Sequence, residues 1–245
     1  MEKLKKGYIA VNREEPGLKT GNPTAEPDGE PDEFFEKYGK RPPAALKKLL
    51  GFKSEFGNHF SDEFELELMD KVEFGYTGEG FSDSFIGLGK ANGSGSLYAI
   101  WIAGKDLEKC PIVVFGDEGG IPVVAENMRQ FIRLLTYDTE VRIDRPFNNK
   151  PDKAEFYKSE DDDFESPNRP EFLKWAKENF GVDPIETNDE ARKIVSGASE
   201  KLSKKYNAFL KKYKLGFEVD KNLELLDSIY YHEDDVDTVK MLLKN

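Results

Sequence analysis

Leu97-Tyr-Ala-Ile-Trp-Ile-Ala103, Pro111-Ile-Val-Val-Phe115, the glycine-rich link Gly116-Asp-Glu-Gly-Gly120 and Ile121-Pro-Val-Val124 decide the fold. The runs are rich in β-branched and aromatic residues and too short for buried helices, so they read as strands. Two apolar runs around a five-residue loop containing Gly are the signature of a β-hairpin. Pro122 cannot donate to a ladder, which places the start of the returning strand at an edge or outside the pairing.

Working outward, Phe64-Glu-Leu-Glu-Leu68 alternates with period two, as a half-buried strand does, and Phe85-Ile-Gly-Leu88 is a short apolar run. Asn92-Gly-Ser-Gly-Ser96 is turn chemistry joining that run to Leu97. A helix is expected over Ala125–Tyr137, with Met128, Phe131, Ile132 and Leu135 on one face. Upstream, a short helix is expected at Asp32–Tyr38, and another from Pro42-Pro43 to a stop at Gly51. Residues 144–170 lose periodicity and read as loop. Pro170–Phe180 reads as a helix closed by Gly181. Thr187-x-x-Glu190 is a capping box for a long helix reaching about Lys214. Leu223–Tyr231 fits either strand or helix, and Asp234–Leu243 has the charge distribution of a terminal helix. The expected fold is α+β: a mainly antiparallel meander packed by N-terminal, central and C-terminal helices. A single domain spans 1–245, with residues 1–31 as an extended Pro/Gly-rich arm and 170–245 as a helical C-terminal extension.

The 245 residues include 36 Lys+Arg and 48 Asp+Glu, a net charge of −12. Residues 61–170 carry −11 of this, so one region is acidic and the remainder nearly neutral. Phosphate backbones and anionic lipid surfaces both demand basic residues, which argues against nucleic acid and membranes as partners. The helix over 188–214 is the exception, with eight basic and three acidic residues, read as a solvated amphipathic face. No apolar run reaches membrane-spanning length, and the charged N-terminus has no secretory signal pattern, so a cytoplasmic protein is expected.

Gly87-Leu-Gly89 through Gly95 has neither Walker nor dinucleotide spacing, and a strand rather than a helix follows it, so it reads as a hairpin turn. Cys110 and His59 are too sparse a set for a catalytic dyad or a zinc site, and Cys110 reads as a small buried residue. Trp101 and Trp175 read as core anchors. The remaining candidates are acidic. Asp117 and Glu118 sit at the hairpin tip, while Asp161, Asp162 and Asp163 lie in the densest acidic run. That run lacks the alternation and central Gly of a calcium loop, so no metal or other cofactor is expected. It suits a basic protein surface.

The block Phe85-Ile-Gly-Leu-Gly89, Gly95-Ser-Leu-Tyr-Ala-Ile-Trp101, Pro111-Ile-Val-Val-Phe-Gly-Asp-Glu-Gly-Gly120 and Val123-Val-Ala-Glu-Asn-Met-Arg-Gln-Phe-Ile-Arg-Leu-Leu-Thr-Tyr-Asp138 resembles the core of the SUKH superfamily, the Smi/Knr-type proteins. It covers roughly a fifth to a quarter of the chain; the arm and the helical tail lie outside the family core. The resemblance implies an α+β fold and no catalysis. Many bacterial members are immunity proteins that bind and neutralise polymorphic toxins, often nucleases. Others are regulators of the cell-wall type. No catalytic or contact residue carries over by motif. On this reading Asp117, Glu118, Asp161, Asp162 and Asp163 are expected to face a cationic toxin domain. The alternatives are a non-catalytic regulatory scaffold or a metal-assisted enzyme using the acidic loops.

Overall fold

In the computed structural model, residues 34, 38–69, 80–144, 152–159, 161 and 163–213 are described. The expected arm at 1–31 and the C-terminal segments Leu223–Tyr231 and Asp234–Leu243 lie outside them. So does most of the expected Asp32–Tyr38 helix, of which Phe34 and Tyr38 are described as helical and pack ring to ring at 4.6 Å.

Five strands form one antiparallel meander in sequence order: β1 (Glu65–Met69), β2 (Phe85–Lys90), β3 (Leu97–Trp101), β4 (Ile112–Phe115) and β5 (Val123–Ala125). The apolar runs are continuous because both faces of the sheet are buried. Along β3, Tyr98 and Ile100 enter one core, whereas Ala99 and Trp101 enter the other. Along β4, Ile112 and Val114 separate from Val113 and Phe115 in the same way. The period of two is thus kept, with apolar residues at every position. β5 starts at Val123, directly after Pro122, and is an edge strand, as proline requires.

The first face is covered by α1 (Ala44–Phe56), α2 (Met128–Leu135) and α3 (Arg169–Phe180), through Leu46, Leu49 and Phe52, Met128, Phe131 and Ile132, and Phe172 and Ala176. The second face is covered by α4 (Asn188–Lys212). Its first half sends Ala191, Ile194 and Val195 into the first core. Its second half lays Ala198 and Tyr206, with Leu202, Phe209 and Leu210, against the second. Phe209 stands 5.1 Å from Trp101 and 5.6 Å from Phe85, ring centre to ring centre. The Tyr206 hydroxyl donates to the Ile121 carbonyl at 2.7 Å, so this buried helix face also has its polar atom satisfied.

Several boundaries differ from expectation. α1 does not stop at Gly51. It runs on because Phe52, one residue later, is buried among Phe60, Phe172 and Trp175, and the helix closes at Gly57, φ +83°. α2 begins at Met128, not Ala125, since Ala125 is still paired in β5 and Asn127 caps the helix by accepting from the Gln130 amide. Residues 144–170 are not all loop. β6 (Val141–Asp144) and β7 (Lys153–Phe156) form a two-stranded antiparallel ribbon with Val141 opposite Phe156 and Asp144 opposite Lys153. The helix ends at 180 and 187 are as expected. Gly181 takes the left-handed conformation after α3, and the Thr187 hydroxyl accepts from the Glu190 amide. The Glu190 carboxylate returns to the Glu186 amide, one residue short of the capping-box partner.

Candidate functional site

The hairpin tip 116–120 is a tight turn in which the Gly119 amide donates to the Gly116 carbonyl and the Gly116 amide to the Gly120 carbonyl. Gly120 has φ +86°, and a Cβ there would stand 3.0 Å from Asp152 Oδ2 and 3.2 Å from Ile143 Cγ2. The tip therefore packs on the Asp144/Lys153 end of the β6–β7 ribbon. Asp117 and Glu118 are both exposed at this tip. Asp117 is also a structural residue: Ser96 Oγ donates to its carboxylate at 3.0 Å and accepts from its amide at 3.2 Å. Desolvation works to raise the Asp117 pKa, but hydrogen bonds from Ser96, Ser94 and the Asp117 and Glu118 amides outweigh it and hold the carboxyl below its ordinary value. The side chain thus staples the 116–120 turn to the turn at 92–96. There Asn92 Oδ1 accepts from Ser94 Oγ and from the Gly95 and Ser96 amides. β3 follows this turn, so the glycine-rich stretch is a hairpin link without the helix N-terminus of a phosphate loop.

Asp161 and Asp163 are exposed in the loop after β7, and Asp162 lies outside the described residues. This loop leaves the Val141/Phe156 end of the ribbon. Three residue steps, about 10 Å of strand, separate the ribbon end where this loop begins from the end on which the hairpin tip packs. The structure does not gather the four described acidic candidates into one cluster: Asp117 and Glu118 are at the tip packed on one end of the ribbon, and the loop carrying Asp161 and Asp163 leaves the other end.

The acidic loop is held firmly at both ends. At its entry, the Lys158 amide donates to Asn188 Oδ1 and the Lys158 carbonyl accepts from Asn188 Nδ2, both at 2.9 Å, while Thr139 Oγ1 donates to the Tyr157 carbonyl at 3.1 Å. At its exit, Asp138 accepts from the Ser166 amide at 2.9 Å and from Ser166 Oγ at 2.6 Å. The Asp138 side chain is fully buried and its backbone is left-handed, φ +56°, a conformation Asp tolerates better than most residues. Arg169 closes the exit. It donates to Glu165 at 2.7 Å and to the Thr136 carbonyl at 3.3 Å, and its Nε faces Asp138 Oδ2 at 3.7 Å. Asn168 Nδ2 reaches back to the carbonyls of Phe56 and Asn58 at 2.8 and 2.6 Å.

Sequence reading missed this frame, and with it the loop's aromatic residues. Among the described residues the exposed large apolar side chains are Phe56, Tyr157 and Phe164, and two of these flank the acids: Tyr157 at 47% exposure and Phe164 at 51%. The visible signal was a lone Phe inside Asp161-Asp-Asp-Phe-Glu165. No spacing rule assigns such a residue a role.

Beside the frame, Asp62 is half-buried. Burial pushes its carboxyl above the ordinary value; the Glu140 amide works against this, and the charges of Asp138, Glu140 and Glu63 add to it. A raised folded-state pKa means that stability falls as pH rises from about 3.8 through the folded value, and the penalty is complete at neutral pH. Asp62→Asn is therefore expected to raise the melting temperature at pH 7 by no more than about 2 °C, given solvent screening, and to have no effect near pH 3. A melting series across pH checks this.

The other candidates resolve structurally. Cys110 is buried, its thiol donating weakly to the Asp106 carbonyl at 3.4 Å, while His59 is exposed in the turn after α1. Trp101 is buried, and Trp175 packs partly buried on the first core. The lysine-rich face of α4 is partly occupied: Lys201 pairs with Glu126, and Lys205 donates to the Ala103 carbonyl at 2.6 Å and lies over the Trp101 ring. These lysines tie α4 to the sheet. Among the described residues no group of three or more His, Cys, Asp or Glu is placed to hold a metal ion, and no helix is long and apolar enough to cross a membrane.

The fold and site together define an α+β protein: a five-stranded antiparallel meander covered on both faces, with a framed acidic loop at one end of an accessory ribbon. Compared with models of known protein families, with curated proteins and with solved structures, the chain gives no match.

Proposed function

We propose that this chain is a non-catalytic protein-binding module of the SUKH type, an immunity protein that neutralises a cationic, nuclease-type toxin domain in the cytoplasm by direct binding. The observation that carries this reading is the acidic loop. Five of the seven residues 159–165 are acidic and none is basic, and hydrogen bonds fix the backbone at both ends. Anchored ends reduce the conformational freedom that such a loop has to lose on binding. Its charge complements the basic surfaces that nucleases use to hold phosphates, so it would speed association and select partners. The order meander, hairpin, helix, on which the resemblance rests, is also the order of β3, the β4–β5 hairpin and α2. Asp161, Asp162 and Asp163 are the principal contacts on this reading. Asp117 and Glu118, at the tip packed on the other end of the ribbon, would meet the same partner only across a broad interface.

The test is a titration of the purified chain with the product of the adjacent gene. Replacing Asp161, Asp162 and Asp163 together by Asn is expected to weaken binding about tenfold at low salt, mainly through slower association, and to flatten the salt dependence. Unchanged affinity and salt dependence would remove the electrostatic basis of the reading.

A further inference from the structure

We propose that Phe164 is the apolar anchor of this interface, seated in a partner pocket rimmed by Lys or Arg, with Tyr157 as a second contact. The inference rests on the protein-binding reading above and adds the residue and the partner chemistry.

Phe164 leaves half of its surface in water. Its backbone is held in place: Lys158 Nζ lies 3.5 Å from the Phe164 carbonyl, and two residues later Ser166 is buried and doubly bonded to Asp138. The ring is therefore presented from a fixed frame. An aromatic side chain with few rotatable bonds, two residues from an anchored loop end and next in sequence to charged residues, has the makings of an interface hot spot: a central residue that is desolvated on binding and a polar rim that excludes water and sets orientation.

Charge decides the occupant. The two basic residues at the loop's ends are engaged internally, Arg169 by Glu165 and Asp138, and Lys158 by the Phe164 carbonyl. With Glu165 balanced by Arg169, the exposed Asp161 and Asp163 leave the rim net negative even against the charge of Lys158. A two-fold contact centred on this loop would set it against itself, and like charges across an interface oppose association. A partner with cationic side chains around an apolar recess fits both features.

The experiment titrates the product of the adjacent gene into full-length wild type, Phe164→Ala, Phe164→Trp and the triple Asn variant over a salt series. Phe164→Ala is expected to weaken binding at least tenfold with the salt dependence unchanged, whereas the triple Asn variant changes the salt dependence. Phe164→Trp is expected to retain binding and to shift its fluorescence to shorter wavelength in the complex. Phe164 is half exposed, so the Ala variant should melt within a few degrees of wild type. Binding by wild type that Phe164→Ala leaves intact would overturn the anchor while leaving the protein-binding reading in place. Failure of wild type to bind would overturn both. Light scattering on the chain alone gives the third outcome: a dimer abolished by Phe164→Ala would assign the ring to a second copy and overturn the cationic partner.

Discussion

Gly89→Ala is expected to destabilise the protein by more than about 3 kcal/mol, at the upper end of what single substitutions do. Gly89 lies at an irregularity in β2, where pairing steps from Gly87 opposite Ala99 to Gly89 opposite Tyr98 and leaves Leu88 as the extra residue. It also pairs with Leu66 of β1, so both of its neighbours are backbone. Its φ is +131°, and a Cβ would fall 2.0 Å from the Glu65 carbonyl oxygen and 2.6 Å from the Glu67 amide nitrogen. Neither atom can retreat without separating β1 from the sheet, and β1 carries the fully buried Leu66. Gly95→Ala is the control. Gly95 has φ +110° but nothing within 4 Å of the added carbon, so it should cost only about 1 kcal/mol from backbone strain. Urea unfolding of both variants separates the close approach from the dihedral, and equal losses would contradict the close-approach argument.

The second large effect is expected at Asp138. Asp138→Ala should cost about 2–4 kcal/mol, because it leaves the buried Ser166 amide and hydroxyl without their acceptor and takes from Arg169 one of its two carboxylates. Asp138→Asn should cost less, since it keeps the shape and tolerates the left-handed backbone. It still presents an amide donor to one of the Ser166 groups. If part of the loss in Asp138→Ala comes from the weakened pairing of Arg169, adding Arg169→Met should recover that part. Additive losses in the double variant would place the stabilisation elsewhere. Loosening the loop exit should also weaken partner binding more than the loss of one charge would.

How far the sequence could be read depended on how far each signal was local. The meander was legible because its runs alternate between two cores while staying apolar throughout, and its turns carry Asn92-Gly and Gly116–Gly120 chemistry. The helix starts were legible from Pro170, one residue inside the observed start at Arg169, and from the capping Thr187. The β6–β7 ribbon was not. Lys153-Ala-Glu-Phe156 alternates perfectly in burial, but with one Ala and one Phe over four residues the signal is too thin to read. Gly51 was misread because a glycine inside a helix is a weak stop, and what carries α1 past it is Phe52 meeting Phe172, 120 residues along the chain.

The candidate site was legible in composition and not in arrangement. Acidic residues announced themselves, but only the ribbon register shows that Asp117 and Asp161 stand at opposite ends. Only three-dimensional contacts show that Asp117 is engaged by Ser96, and that Asp138, Asn168, Arg169 and Asn188 hold the other loop. On the proposed reading the functional weight moves from the hairpin tip to the loop between Tyr157 and Ser166, whose ends are hydrogen-bonded and which carries exposed Asp161, Asp163 and Phe164.

Hydrogen–deuterium exchange of the full chain, alone and saturated with the product of the adjacent gene, tests this assignment most directly. Protection centred on residues 157–166, absent in the triple Asn variant at the same concentrations, is the expected result. A complex that protects other surfaces and leaves 157–166 exchanging as in the free chain would contradict it.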